Sequence, residues 1–274
     1  VFQSFFVLGT MLCGLAAAAE NEPSFPKSTI LDYYIKLTFS DDATSEPARV
    51  PGLLAKRDGS ARNKVIMSLG DSALSSDAHI QEITDDVGEV LGSLAAHSKD
   101  FRYKFYSIDE VLGIMKMSHA DAQEALADSL QIYVGSVDEI DGATKQQEGH
   151  GLKVRSLFEA ARSRSSQSKI PLCFGGVFYK PDLSNEIGYS VLYAEDGNAL
   201  MNCLYEGIMR SAGLMEKLPD GSYSTFGDDG LFSSPTQLDW ALWALHMNPK
   251  LSHGMTISQT RQMASQVLDT DTGE

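Results

Sequence analysis

The residues best spaced for chemistry lie in Cys203–Leu214, which reads CLYEGIMRSAGL and runs on into Met215-Glu216-Lys217. Glu206 and Arg210 are four residues apart, so on a helix their side chains share a face. Gly213 follows as a helix stop, with Glu216 just beyond it. Two donors at that spacing, with a third swung in by a glycine turn, would hold a divalent metal. Here the second position is Arg210, a cation with no lone pair to give. Ser72 is a second candidate, because it follows the apolar run Val65-Ile66-Met67 in VIMSLGDSALS. A serine delivered by a buried strand into a turn attacks as a nucleophile when a histidine, oriented by an acid, accepts its proton. None of His79, His97, His119, His150, His246 and His253 has an aspartate three residues before it. Ser72 is therefore expected in a turn with no imidazole in reach. No two of these histidines stand four apart, which removes the simplest helical metal site. Asp269-x-Asp271-x-Gly273 lacks the remaining ligands of a calcium loop and reads as an acidic tail. Asp228-Asp229-Gly230 reads as a solvated loop.

Positioning such residues needs a framework, and the hydrophobic pattern supplies one. Val65–Met67 reads as a strand closed by Gly70-Asp71-Ser72 as a turn. Ile80, Ile83, Val87, Val90, Leu91 and Leu94 recur at helical spacing. Phe101–Tyr106 and Leu130–Val134 read as strands, and Ile108–Met117 and Leu152–Arg162 as helices. Cys173–Tyr179 and Ile187–Tyr193 form a neighbouring strand pair. A helix follows with Asn198 as its cap, Leu200, Leu204, Ile208 and Ala212 on one face and Gly213 at its end. Helices over Gln237–His246 and Ser258–Val267 close the chain. Ile30–Phe39 is left as a strand or a short helix. Strands early and helices late indicate an α+β domain with a mixed sheet.

A strand leading into a helix that ends in small-x-Gly-Leu resembles the zinc-binding helix of zincin metalloproteases, H-E-x-x-H-x-x-G-x-x-H. Registered on Gly213, the ligand positions fall on Glu206, Arg210 and Glu216, and that of the catalytic glutamate on Gly207. The tail then resembles a bacterial secreted family, domain of unknown function 2927, over Leu172–Thr256. Cys203, Glu206, Gly213 and Leu214 carry the resemblance, as do STFGDDG (Ser224–Gly230) and PTQLDWALWALHMNPKLSHGMT (Pro235–Thr256). Gly207 and Arg210 depart from the family pattern. Gly254-Met255 stands where zincin relatives carry a methionine turn beneath the metal. The resemblance implies one zincin-like (metzincin-like) α+β domain, with no catalytic residue to carry over. It further implies that Glu206, Arg210 and Glu216 converge near Met255, Arg210 standing between two carboxylates in place of a metal's charge. VIMSLGDSALS is similar to the first block of Gly-Asp-Ser esterases, which implies a hydrolase built on Ser72, although that family's G-x-N-D block is absent.

Composition places the molecule. Residues 1–19 carry no charge and hold an apolar run, Phe5–Leu15, that is shorter than a membrane span and ends in alanines. They read as a signal peptide cut near Ala19–Glu20, its basic start and initiator methionine missing. The parts that follow are a lead-in over 20–60, a domain over 61–268 and an acidic tail over 269–274. The net charge of −15 argues against nucleic acid as a partner. Cys173 and Cys203 remain after cleavage; an exported compartment lets them pair, two buried thiols being the alternative. Both lie in the matched region, and the pairing expected there is a disulfide joining a strand to the start of the 198–212 helix. The function expected is that of an exported, non-catalytic zincin-like scaffold, secreted or periplasmic, with no membrane span in the mature chain. It would bind a protein or an envelope component, use no cofactor, and take zinc only through non-standard ligands. The alternatives are a secreted esterase using Ser72 and a metallopeptidase with ligands outside the helix.

Overall fold

Strands with apolar residues on both faces need cover on both sides, and the arrangement of the elements provides it. The computed structural model describes residues 24–39, 52–57, 63–106, 110–111, 113, 116, 128–149, 154–168, 171–180, 185–219, 221–227 and 234–270. The signal-peptide reading, Asp228–Gly230, Asp271 and Gly273 lie outside these residues, as do His119, His150 and most of 108–117.

Five strands, β1 (Asn63–Leu69), β2 (Tyr103–Tyr106), β3 (Ser129–Gly135), β4 (Cys173–Tyr179) and β5 (Ile187–Glu195), form one sheet in the order β2-β1-β3-β5-β4. All neighbours run parallel except the edge strand β4, which is antiparallel to β5. Side chains alternate between the faces. Leu130, Ile132, Val134, Leu192 and Ala194 enter the larger core, whereas Val191 and Tyr193 enter a smaller one.

The larger core lies under α1 (Lys27–Thr38), α2 (Asp77–His97), α5 (Leu200–Ala212), α6 (Gln237–Met247) and α7 (Ile257–Thr270). The smaller core lies under α3 (Val137–Gly149) and α4 (Arg155–Ser168). α2 buries Ile83, Val87, Val90, Leu91 and Leu94 of the stripe read from sequence, leaving Ile80 half-buried, and Ser76 caps its start by accepting from the His79 amide. Ile30–Phe39 resolves as helix, because Tyr34 and Leu37 are buried at a three-residue step that a strand cannot present on one face. α3 was not expected from the sequence. VDEIDGATKQQEG has few apolar residues: Ile140 and Thr144 are fully buried, with Val137 and Ala143 packed beside them on the smaller core. α4 begins at Arg155, later than the expected 152.

Residues 52–57 form a strap across the base of the molecule. Leu54 exchanges backbone hydrogen bonds with the 254–255 segment, and Lys56 with Asn185 and Ile187, while the Arg57 amide donates to the Ala212 carbonyl. The Lys56 ammonium donates to the Asn248 and Leu251 carbonyls at 2.9 and 2.6 Å, just past the end of α6. Arg57 is buried and donates to the Asp128 and Ser129 carbonyls and to Ser190 Oγ. The strap and α1 thus belong to the same packed body as the strands, although both lie in the 20–60 lead-in.

Candidate functional site

α5 is strongly amphipathic and lies across β5 and β4, burying Leu200, Cys203, Leu204, Ile208, Met209 and Ala212. Gly207 faces β5 so closely that a Cβ there would collide with the Leu192 side chain. Its lack of a side chain therefore has a packing reason. Gly213 ends the helix with φ 128°, and a Cβ would run into the Ala55 carbonyl and the His246 ring. No other residue fits that turn. The helix start differs from expectation: the N-cap is Ala199 rather than Asn198, and no side chain caps it.

On the outer side of α5, Arg210 Nε donates to Glu206 Oε1 at 2.7 Å. Its Nη1 donates to the Met215 carbonyl and, at 3.2 Å, to the Glu216 carbonyl. The guanidinium carbon lies 5.3 Å from the centre of the Phe226 ring. The amides of Met215 and Glu216 donate to the Leu37 carbonyl of α1, so the turn after Gly213 is held from both sides. Tyr179, the last residue of β4, donates its hydroxyl to Met215 Sδ at 3.3 Å. Glu206 and Arg210 come together through their side chains. The bonds from Arg210 toward Glu216, however, go to main-chain oxygen rather than to a second carboxylate. The Glu206 and Arg210 side chains are 31 % and 24 % exposed, so the pair is partly solvated. The Met255 carbonyl accepts from the Leu54 amide, and its side chain packs on the larger core. Cys173 and Cys203 form a disulfide that ties the first residue of β4 to α5.

Ser72 lies in the turn after β1 and is wired to a carboxylate. Its Oγ donates to Glu139 Oε2 at 2.5 Å, and its amide to Oε1 at 2.9 Å. Glu139 also accepts from the Ser136 amide and hydroxyl at 2.7 and 2.8 Å, completing a capping box at the start of α3. The Ser72 hydroxyl, followed by the Ser136 bonds, holds the Glu139 pKa down at about 2. A carboxylate so poorly basic does not take a serine proton at neutral pH. Gly70 is glycine because a Cβ would sit 2.6 Å from Glu139 Oε2. Gly-Asp-Ser here joins two loops at the carboxyl end of the sheet, and no histidine is among Ser72's partners.

Three polar centres escaped the sequence reading, those of His79 and His246 because their partners are far apart in the chain. His79 is bonded to Asp196 and Glu82 at 2.7 and 3.2 Å. Asp239, fully buried in the first turn of α6, accepts from the Ser224 hydroxyl and from the Thr225 and Thr236 amides. It thereby fastens the STF segment to the helix. Burial pushes its pKa up, and these hydrogen bonds oppose that rise. His246 is fully buried between Tyr34 Oη at 3.1 Å and the Ala212 carbonyl at 2.9 Å. A carbonyl only accepts, so Nε2 carries the proton and Nδ1 accepts from the tyrosine. Burial, reinforced by Lys56, lowers the His246 pKa to about 3. The only cue to these centres was Thr236-x-x-Asp239, a capping-box spacing.

Among the described residues no group of three or more His, Cys, Asp and Glu side chains could hold a metal ion. No described helix is long and apolar enough to cross a membrane. The family model for a protein of unknown function, DUF2927, matches residues 28–266. No curated protein and no solved structure matches the chain.

Proposed function

We propose that this chain, which belongs to the DUF2927 family, is an exported zincin-like scaffold used to bind a protein or an envelope component rather than to cut one. The observation that carries this reading is Arg210. Its guanidinium fills the space between Glu206 and the 215–216 turn, where a metalloprotease would keep a ligand set open to substrate. The residues present do not fit a zinc ion: Arg210 is a cation with no electron pair to donate. Gly207, pressed against Leu192, leaves no room for a glutamate base in this register. Support for the zincin-like frame comes from the succession of β5, α5 and the glycine turn. An exported setting is supported by the disulfide, which persists in oxidising compartments. Ser72, tied to Glu139, favours no esterase reading.

Elemental analysis of the purified full chain after incubation with zinc, alongside a broad peptidase and esterase screen, tests the proposal. The expected result is sub-stoichiometric zinc and no turnover above background. Bound zinc near one equivalent, or hydrolysis abolished by Glu206→Gln or Ser72→Ala, overturns it.

A further inference from the structure

His79 lies in the first turn of α2 with both ring nitrogens against carboxylate oxygens, Nε2 at Asp196 and Nδ1 at Glu82. A neutral imidazole has one N–H, and a carboxylate only accepts. Both contacts are hydrogen bonds only when the ring is the imidazolium. These two carboxylates are the charged groups acting on the ring: Glu82 from its own helix, Asp196 from the turn after β5. Of the neighbouring turns, the one after β3 has its carboxylate, Glu139, engaged by Ser72 and Ser136.

Asp196 opens the turn that leads into α5. That helix starts without a side-chain cap, and Gly197 within the turn has φ 146°. The turn is fixed by the Asp196 amide on the Gly135 carbonyl, by the Leu200 amide on Gly197, and by the disulfide at Cys203. The disulfide ties it to β4, and among the described residues His79 joins it to α2 by a side-chain hydrogen bond to Asp196.

We propose that His79 is a protonation-dependent clamp that holds the start of α5, the helix bearing Glu206 and Arg210, against α2. When the ring loses its proton to water, it keeps one donor. The shorter and less exposed contact, to Asp196, retains it, and Glu82 is released. The bond to Asp196 then falls from charge-assisted to neutral, roughly half as strong. The start of α5 loosens as pH rises through the His79 pKa, while the fold stays closed.

The test is an NMR titration of the His79 ring in the full chain, assigned with His79→Gln, together with amide exchange over 197–204 corrected for its intrinsic pH dependence. Both carboxylates hold the His79 pKa above its ordinary value, and Asp196→Asn is expected to bring it down. Corrected exchange should rise severalfold from below to above the titration. In His79→Gln it should show no pH dependence, and in reduced protein, lacking the disulfide, the pH effect should grow. A purely structural role for His79 would change exchange equally on both sides of the titration. The proposal is overturned if Asp196→Asn leaves the titration unmoved, or if corrected exchange at 197–204 is the same above and below it.

Discussion

Replacing His246 with glutamine should remove most of an acid sensitivity built into the join of α1, α5 and α6. Glutamine keeps a donor for the Ala212 carbonyl and cannot be protonated in this range. In the folded protein the His246 pKa is lowered from 6.5 to about 3. A depressed histidine pKa means that the unfolded chain binds the proton first. Stability is therefore whole above about pH 6.5 and is lost as pH falls toward 3. Linkage over that window gives a loss of about 2 kcal/mol at pH 5 and about 3 kcal/mol at pH 4 relative to pH 7. Urea unfolding at pH 7 and pH 5, followed by the fluorescence of buried Trp243, reads the difference. With a slope of about 2 kcal/mol per molar, the wild-type midpoint should fall by about 1 M more than that of His246→Gln. Other groups that titrate in the window, among them Asp239, whose burial pulls in the opposite direction, cancel in this comparison. Equal losses in the two proteins between pH 7 and pH 5 would refute the assignment of a neutral, Nε2-protonated His246.

Arg210→Met should destabilise by about 1–2 kcal/mol in urea unfolding, because a partly exposed ion pair contributes little beyond the hydrogen bonds to the 215–216 carbonyls. A loss above about 3 kcal/mol would mean that the pair behaves as a buried one. Gly207→Ala should cost about 1–3 kcal/mol by overpacking Leu192, opposing the ~1 kcal/mol that alanine gives a helix interior. The double variant with Leu192→Ala should lose less than the sum of the singles, and strict additivity would show that the clash is not there. Cys203→Ser should release one alkylatable thiol, at Cys173, that mass spectrometry does not find in the unreduced parent. It should also lower stability by about 3–4 kcal/mol for a loop of separation 30. Two free thiols among Cys173 and Cys203 in the unreduced parent would contradict the bridge.

Elements with a clear apolar period were legible in the sequence. The stripe of α2, the paired strands β4 and β5, and α5 with its glycine stop fall where their residues place them. α3 was missed because Asp, Gly, Thr and Gln occupy a helix held mainly by Ile140, Thr144 and the Ser136–Glu139 box. At the candidate site, the face shared by Glu206 and Arg210 followed from their spacing alone. What Arg210 holds with its other nitrogen did not, since main-chain carbonyls leave no trace in residue types. The Glu139–Ser72 and Asp196–His79 contacts join residues separated by whole elements, the Asp239–Ser224 contact crosses a loop, and single-chain periodicity does not report on such pairs. Gly207 was read as a missing base, whereas the distance between helix and sheet requires it on its own.

The strap at residues 52–57 has a consequence for the order in which the molecule can be assembled. Lys56 finds its acceptor at Leu251, 195 residues downstream, and Leu54 pairs with the neighbouring 254–255 segment. A chain that emerges from its N-terminus, from a ribosome or across a membrane, holds this strap ready long before those partners exist. α2 can form early from residues close in sequence, and the sheet once β5 has emerged, but the 248–255 contacts of the strap stay open until nearly the last helix has appeared. Closure of the strap at Lys56 is thus a late event that records completion of the chain, and a product truncated before residue 248 would lack the Asn248 and Leu251 carbonyls that receive the Lys56 ammonium.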